Sequence, residues 1–286
     1  MALNDRERLD AIRTIAREGD PDRYAAALFV ADAARDDLLS LGAFNVELAR
    51  VAELVKEPQL GEIRLQWWRD SLDRALNGDT AEHPVLAAVA QTVRACALPT
   101  EALRGMIDAR SFDVSTRVMP DQATLEAYLD ATAGTLFRLA ARVIAVRTSA
   151  PLESSNIHAA SRQAALAYGL VGLMRALPVH ARLGRVDLPE DALLEQGTSP
   201  SLILTGETSS GLMEVLARLR GRAGDCLREA NRRVMDLQPR VRQAFRPLAL
   251  VRPYMTALEN IDNPLQQIAD INPLYRFWRL ATYKFR

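Results

Sequence analysis

LMEVLARLRGRAGDCLREANRRV, residues 212–234, carries its apolar side chains at gaps of three and four. Leu212, Val215, Leu216, Leu219, Ala223, Cys226, Leu227, Ala230 and Val234 therefore share one stripe of an α-helix. Arg218, Arg220, Arg222, Arg228 and Arg232 fall largely elsewhere. The same period runs through Leu125, Leu129, Thr132, Leu136, Leu139, Ala140 and Val143. Between such runs stand Pro21, Pro58, Pro84, Pro99, Pro120, Pro151, Pro189, Pro200 and Pro239, where proline ends one helix or opens the next. The pattern predicts helices near 4–18, 22–55, 59–77, 83–95, 100–115, 122–147, 153–177, 211–236 and 240–280, the last broken by prolines. Ser201–Thr205 is the one β-branched hint, too short to seed a sheet. The expectation is a single all-α domain over residues 1–286.

Composition supports a globular chain. Hydrophobic residues make up 49% and charged residues 25% of 286, enough for a sizeable core and too apolar for wholesale disorder. Lys+Arg and Asp+Glu are both 36, so net charge creates no general attraction to nucleic acid, and none is expected as a partner. Lys56 and Lys284 are the only lysines; the remaining basic residues are arginines, which grip carboxylates and phosphates bidentately. Cys96 and Cys226 are too few for a disulfide scaffold or a cysteine-rich zinc site, and fit a reducing, cytoplasmic setting. Met1–Asp10 has no apolar core of a secretory signal, and the longest charge-free stretch, Gln163–Met174, is shorter than a bilayer span.

Nucleophilic or metal chemistry finds little footing. His83, His158 and His180 lie in separate segments, outside any HExxH or GxSxG context, and glycine forms no phosphate-binding fingerprint. Two segments are more unusual. Ala164–Met174 (AALAYGLVGLM) is apolar on every face, with Gly169 and Gly172 leaving room for a close neighbour or a ligand beside Tyr168. Arg175 follows directly, so its charge either reaches solvent at a helix end or meets an anion. Gly42–Asp73 holds Trp67 and Trp68, which point about 100° apart on a helix, so one can face the core while the other lines a groove. Glu47, Glu53, Glu57 and Glu62, with Arg50, Arg64 and Arg69, surround them as a salt-bridged surface or a polar pocket.

These stretches also carry a family resemblance. PDRYAAALF at Pro21–Phe29, the tryptophan segment, and LMRALPVHARLGRVDLPEDAL at Leu173–Leu193 resemble, in order and spacing, the squalene/phytoene synthase family. The element Gly184-Arg185-Val186-Asp187-Leu188-Pro189 is the most specific anchor. The resemblance implies a helical isoprenoid-synthase bundle around a central cavity and Mg²⁺-dependent head-to-head condensation of prenyl diphosphates. It also implies two DxxxD pairs, which place carboxylates on one helical face for Mg²⁺. Their positions here are Ala49 and Glu53, then Ala176 and His180; Gly172 stands where an asparagine is usual. One carboxylate, Glu53, remains. The segment is most similar to the family's aspartate-poor branch, which contains the mitochondrial complex I assembly factor and bacterial relatives.

The expectation is therefore a non-catalytic binding or assembly protein with no cofactor. Its expected partners are an isoprenoid or other lipid, or respiratory-complex subunits, and its expected ligand contacts are Tyr24, Arg64, Trp67, Trp68, Tyr168, Gly172, Arg175 and Arg185. Two alternatives stand beside it. One is an active Mg²⁺-dependent prenyltransferase using Glu47, Glu53, Glu57 or Asp187; the other is an interaction protein with a closed core. A tail at residues 272–286 mixes Arg276, Arg279, Lys284 and Arg286 with Tyr275, Phe277, Trp278, Tyr283 and Phe285 and holds no acid. That mixture suits the headgroup region of an anionic bilayer, here the inner membrane, or a terminal helix packed on the bundle.

Overall fold

Proline opens five helices in the computed structural model, which describes residues 5–55, 57–79, 83–115 and 118–285. A proline there loses nothing, because the first helical N–H groups have no partner inside the helix. In chain order the helices begin α1 (Asp5–Gly19), α2 (Pro21–Ala27), α3 (Asp32–Leu54), α4 (Pro58–Leu76), α5 (Pro84–Cys96), α6 (Thr100–Ala109) and α7 (Ser111–Ser115). Strand β1 (Val118–Met119) follows, then α8 (Gln122–Leu129), a π-helical turn (Asp130–Gly134), α9 (Thr135–Arg147) and α10 (Ser154–Arg182). Strand β2 (Val186–Pro189), α11 (Glu190–Glu195), α12 (Pro200–Leu204), α13 (Ser210–Met235), a 3-10 helix (Val241–Leu250), α14 (Val251–Glu259) and α15 (Pro273–Thr282) complete the chain. The fold is all-α, as the periodicity predicts.

Contacts gather the chain into two compact units. The first comprises Met1–Ser115, Thr135–Ile157 and Leu237–Arg246. Here α3 is central, packed against α1, α5 and α9. Its Phe44 is fully buried, and Phe137 stacks on Phe245 with centroids 5.5 Å apart. A buried polar network crosses this core. Asp37 accepts from Arg147 Nε at 2.6 Å and from Thr92 Oγ1 at 2.9 Å, and Thr92 in turn lies 2.9 Å from Ser40 Oγ. Satisfying every member in this way is what permits a carboxylate in an apolar core.

The second unit comprises Thr116–Gly134, His158–Asp236 and Pro247–Arg286. All nine predicted stripe residues of α13 are buried, and Ser209 caps its start by accepting from Leu212 N at 3.1 Å. In α10 the run Ala164–Ala167 is buried, but Tyr168, Gly169, Gly172 and Leu173 are half-exposed, so this helix is not enclosed on all sides. Among the described residues α10 is the one helix long and apolar enough to cross a membrane by length and composition; half of its most apolar window is buried in the protein.

Several boundaries depart from the sequence expectation. The predicted helix 22–55 is two helices. Leu28, Phe29 and Val30 turn back with tight bonds to Ala25, Ala26 and Ala27, and Arg35 caps the carbonyls of Leu28 and Val30. Helix α10 runs past Pro178 to Arg182, because a proline near a helix end sacrifices one bond that the exit turn replaces. That exit is closed by Arg185 N donating to His180 O, with Gly184 at φ +75°. Ser201–Thr205, expected to be too short for a sheet, indeed seeds none. Ser199 caps it into the short α12, and the only strand pairing among the described residues is parallel, β1 with β2. The last predicted helix, 240–280, divides into the 3-10 helix, α14 and α15, with 260–272 irregular.

Candidate functional site

Helices α3 and α4 meet around the two tryptophans. Trp68 is 3% exposed and packs edge-on to Phe44 at 5.8 Å, whereas Trp67, one residue earlier, is 44% exposed. Their rings meet at 5.2 Å, and His83, just before α5, lies 5.0 Å from Trp68. Together with Glu47, Leu54, Val55, Leu60, Ile63 and Arg64 they line a cavity of about 560 Å³. Leu60, Ile63 and Trp67 are exposed at i, i+3 and i+7, one helical face turned outward rather than into the core. Burial pushes the His83 imidazole below its ordinary pKa, and the nearby Glu47 carboxylate pulls back more weakly. His83 is thus neutral at pH 7. Glu47 is also held by Arg50 at 3.4 Å. The pocket offers an apolar wall with one carboxylate, one guanidinium and one neutral imidazole at its edge, a lining suited to an apolar chain with a polar end.

The remaining expected contacts lie elsewhere. Tyr24 is half-buried on α2. On α10, Tyr168 and Gly172 are half-buried, and beyond the adjoining backbone of its own helix no atom lies within 4 Å of where a Gly172 side chain would begin. Arg175 is engaged within its own unit: it donates to Ala269 O at 2.9 Å, pairs with Asp270 at 3.5 Å and sits 3.5 Å above the Tyr254 ring. Arg185 Nη2 donates to both oxygens of Asp187, at 3.1 and 3.0 Å, and His180 Nδ1 lies 2.5 Å from the same carboxylate. Burial pushes the Asp187 pKa up, but His180 and the Arg185 charge outweigh it and hold the carboxyl below its ordinary value.

The four positions of the expected aspartate pairs do not fit a divalent-ion site. Magnesium wants several carboxylate oxygens in octahedral array. Ala49 and Ala176 offer none, Glu53 is exposed at the end of α3, and His180 is turned to Asp187. Of the displaced acids, Glu57 is exposed, Glu47 is paired with Arg50, and Asp187 is enclosed by its own partners. Among the described residues no three His, Cys, Asp or Glu side chains could hold a metal ion.

Leu54, Val55, Leu60, Ile63 and His83 line the pocket without standing out by residue type. The readable signal was the Leu60–Ile63–Trp67 spacing; His83 is visible only after folding brings its ring to the tryptophans. The tail at 272–286 is mostly helix α15, and its Arg276 is buried, donating to Tyr254 Oη and to Asp270, both at 3.1 Å. That arginine is therefore not a surface cation as expected, and Arg286 lies outside the described residues.

The chain is 24% identical over 275 residues to human NADH dehydrogenase (ubiquinone) complex I, assembly factor 6, covering 93% of this chain and 80% of that protein. It is 27% identical over 218 residues to presqualene diphosphate synthase of Rhodopseudomonas palustris, covering 76% and 75%. Its structure superposes on a squalene synthase from Alicyclobacillus acidocaldarius with a TM-score of 0.74 at 21% identity, over 89% of this chain and 94% of that one. The squalene/phytoene synthase profile matches residues 16–277, and the chain belongs to that family.

Proposed function

We propose that this chain is a single squalene/phytoene synthase domain over residues 1–286 that has lost its Mg²⁺-binding aspartates and works by binding rather than by condensation. It serves in the assembly of a respiratory complex, peripheral to the inner membrane on its cytoplasmic side. The observation that carries this reading is the Arg185–Asp187–His180 cluster. The arginine kept from the family's motif and the histidine at an expected carboxylate position both serve one buried carboxylate. The similarity to complex I assembly factor 6 over 93% of the chain supports the assembly role. The pocket of Trp67, Trp68 and Arg64 is the proposed seat for an isoprenoid or other lipid tail.

One observation favours a second reading. Similarity to a presqualene diphosphate synthase over 76% of the chain supports residual prenyl transfer. Incubation with farnesyl and geranylgeranyl diphosphate, with and without Mg²⁺, separates the two. The assembly reading expects no Mg²⁺-dependent release of diphosphate and lowered assembled NADH dehydrogenase when the gene is deleted. Mg²⁺-dependent turnover lost in Glu53→Ala would overturn it.

A further inference from the structure

Helix α15 turns two unlike faces outward and inward. Arg276 and Leu280, one turn apart, are its buried residues. Leu274 is 80% and Trp278 55% exposed, one turn apart on the opposite side, and Tyr275 and Phe277 flank them. Asn272 fixes the start of the helix by accepting from Leu274 N at 2.8 Å, and Tyr283 fixes its end by donating to Asn231 at 2.8 Å. The apolar face is thus held rigidly out from the second unit.

Beside the end of this helix opens a cleft of about 1040 Å³ whose lining includes Arg228, Arg252, Arg279 and Lys284 and no carboxylate. Arg228 is exposed but paired with Asp225, and Arg279 spends one nitrogen on the Ala249 carbonyl at 3.5 Å; Arg252 and Lys284 are exposed as well. Aromatic and leucine side chains standing beside a cationic cleft match the chemistry of a bilayer interface, apolar below and anionic above. A partner helix would match the apolar face but not require a cation-lined cleft at its edge.

We propose that α15 and this cleft form a membrane-docking surface, with Leu274, Tyr275, Phe277 and Trp278 entering the headgroup boundary and the cleft taking an anionic phospholipid headgroup. This deepens the peripheral-membrane part of the reading above and holds whether or not the protein is catalytic. The test is flotation of the full chain with phosphatidylcholine vesicles, alone or with phosphatidylglycerol in equal part. Binding is expected only to the anionic vesicles and is released by salt. Arg252→Ser with Lys284→Ser should lower partitioning roughly 25-fold, and Leu274→Ser with Trp278→Ser should reduce it to background. Thermal melts confirm folding, and the charge pair, at exposed positions, keeps the test open if the helix variant unfolds. No flotation, equal flotation on neutral vesicles, or unchanged binding by the charge variant would each overturn the proposal. Those outcomes leave the turnover and complex-assembly readouts untouched.

Discussion

His180 Nδ1 lies 2.5 Å from Asp187 Oδ2, seven residues on and across the turn that ends α10. Arg185 Nη2 reaches the same oxygen at 3.0 Å. The three residues gather around one buried carboxylate and tie the end of α10 to β2.

Asp187→Ala should be severely destabilising. It removes the carboxylate that Arg185 and His180 share, and breaking a buried pair costs about 3–5 kcal/mol, measurable by urea unfolding. The pH dependence has a definite sign. Because the folded pKa of Asp187 is lowered, its contribution is present above the ordinary carboxylate pKa and is lost as pH falls through the folded value. The variant should therefore show a flatter stability profile in acid than the parent.

His83 gives a second pH signature. Its folded pKa lies below the ordinary value of 6.5, so the stability it confers is present above 6.5 and is lost as pH falls through the lower folded value. The imidazole resonance should titrate with a midpoint below 6.5. Glu47→Gln removes the carboxylate that pulls the pKa upward, and the midpoint should drop further; a rise would contradict the packing described.

Both thiols should be inert in the native protein. Burial, then the Asp37 carboxylate, pushes the Cys96 pKa up, and burial pushes Cys226 up. Since the thiolate is the reacting form, a disulfide-exchange reagent at neutral pH should titrate no thiol in the folded chain and both in urea.

The two adjacent tryptophans should separate cleanly on mutation. Trp68→Ala empties a site between Phe44 and His83 and should cost about 3–5 kcal/mol. Trp67→Ala should hardly move the melting temperature but should abolish binding of a lipid tail in the adjoining pocket, followed by native mass spectrometry.

Glycines provide a matched pair. A Cβ at Gly61 would stand 2.6 Å from Val114 Cβ, a stiff buried neighbour, so Gly61→Ala should cost about 1–3 kcal/mol. At Gly172 nothing beyond the adjoining backbone of its own helix lies within 4 Å, and Gly172→Ala inside α10 should stabilise by about 0.5–1 kcal/mol. Thermal melts of the two variants should move in opposite directions.

Helix class, the buried stripe of α13 and the split between Trp67 and Trp68 were all written in the sequence. Each depends on a local period of 3.6 residues, and burial of an amphipathic face follows directly from that spacing. What only the tertiary structure decided concerns pairs distant in sequence. Parallel β1 and β2 join residues 118–119 to 186–189, a match too short to leave a pattern in either segment. Arg175 could reach solvent or an anion on sequence grounds; its partners, Asp270 and the Tyr254 ring, come from more than seventy residues away. Arg276 likewise reads as a surface cation beside aromatics until Tyr254 and Asp270 enclose it. A guanidinium's partner is set by which carboxylates and rings the packed helices bring within a few ångströms, and no local spacing encodes that.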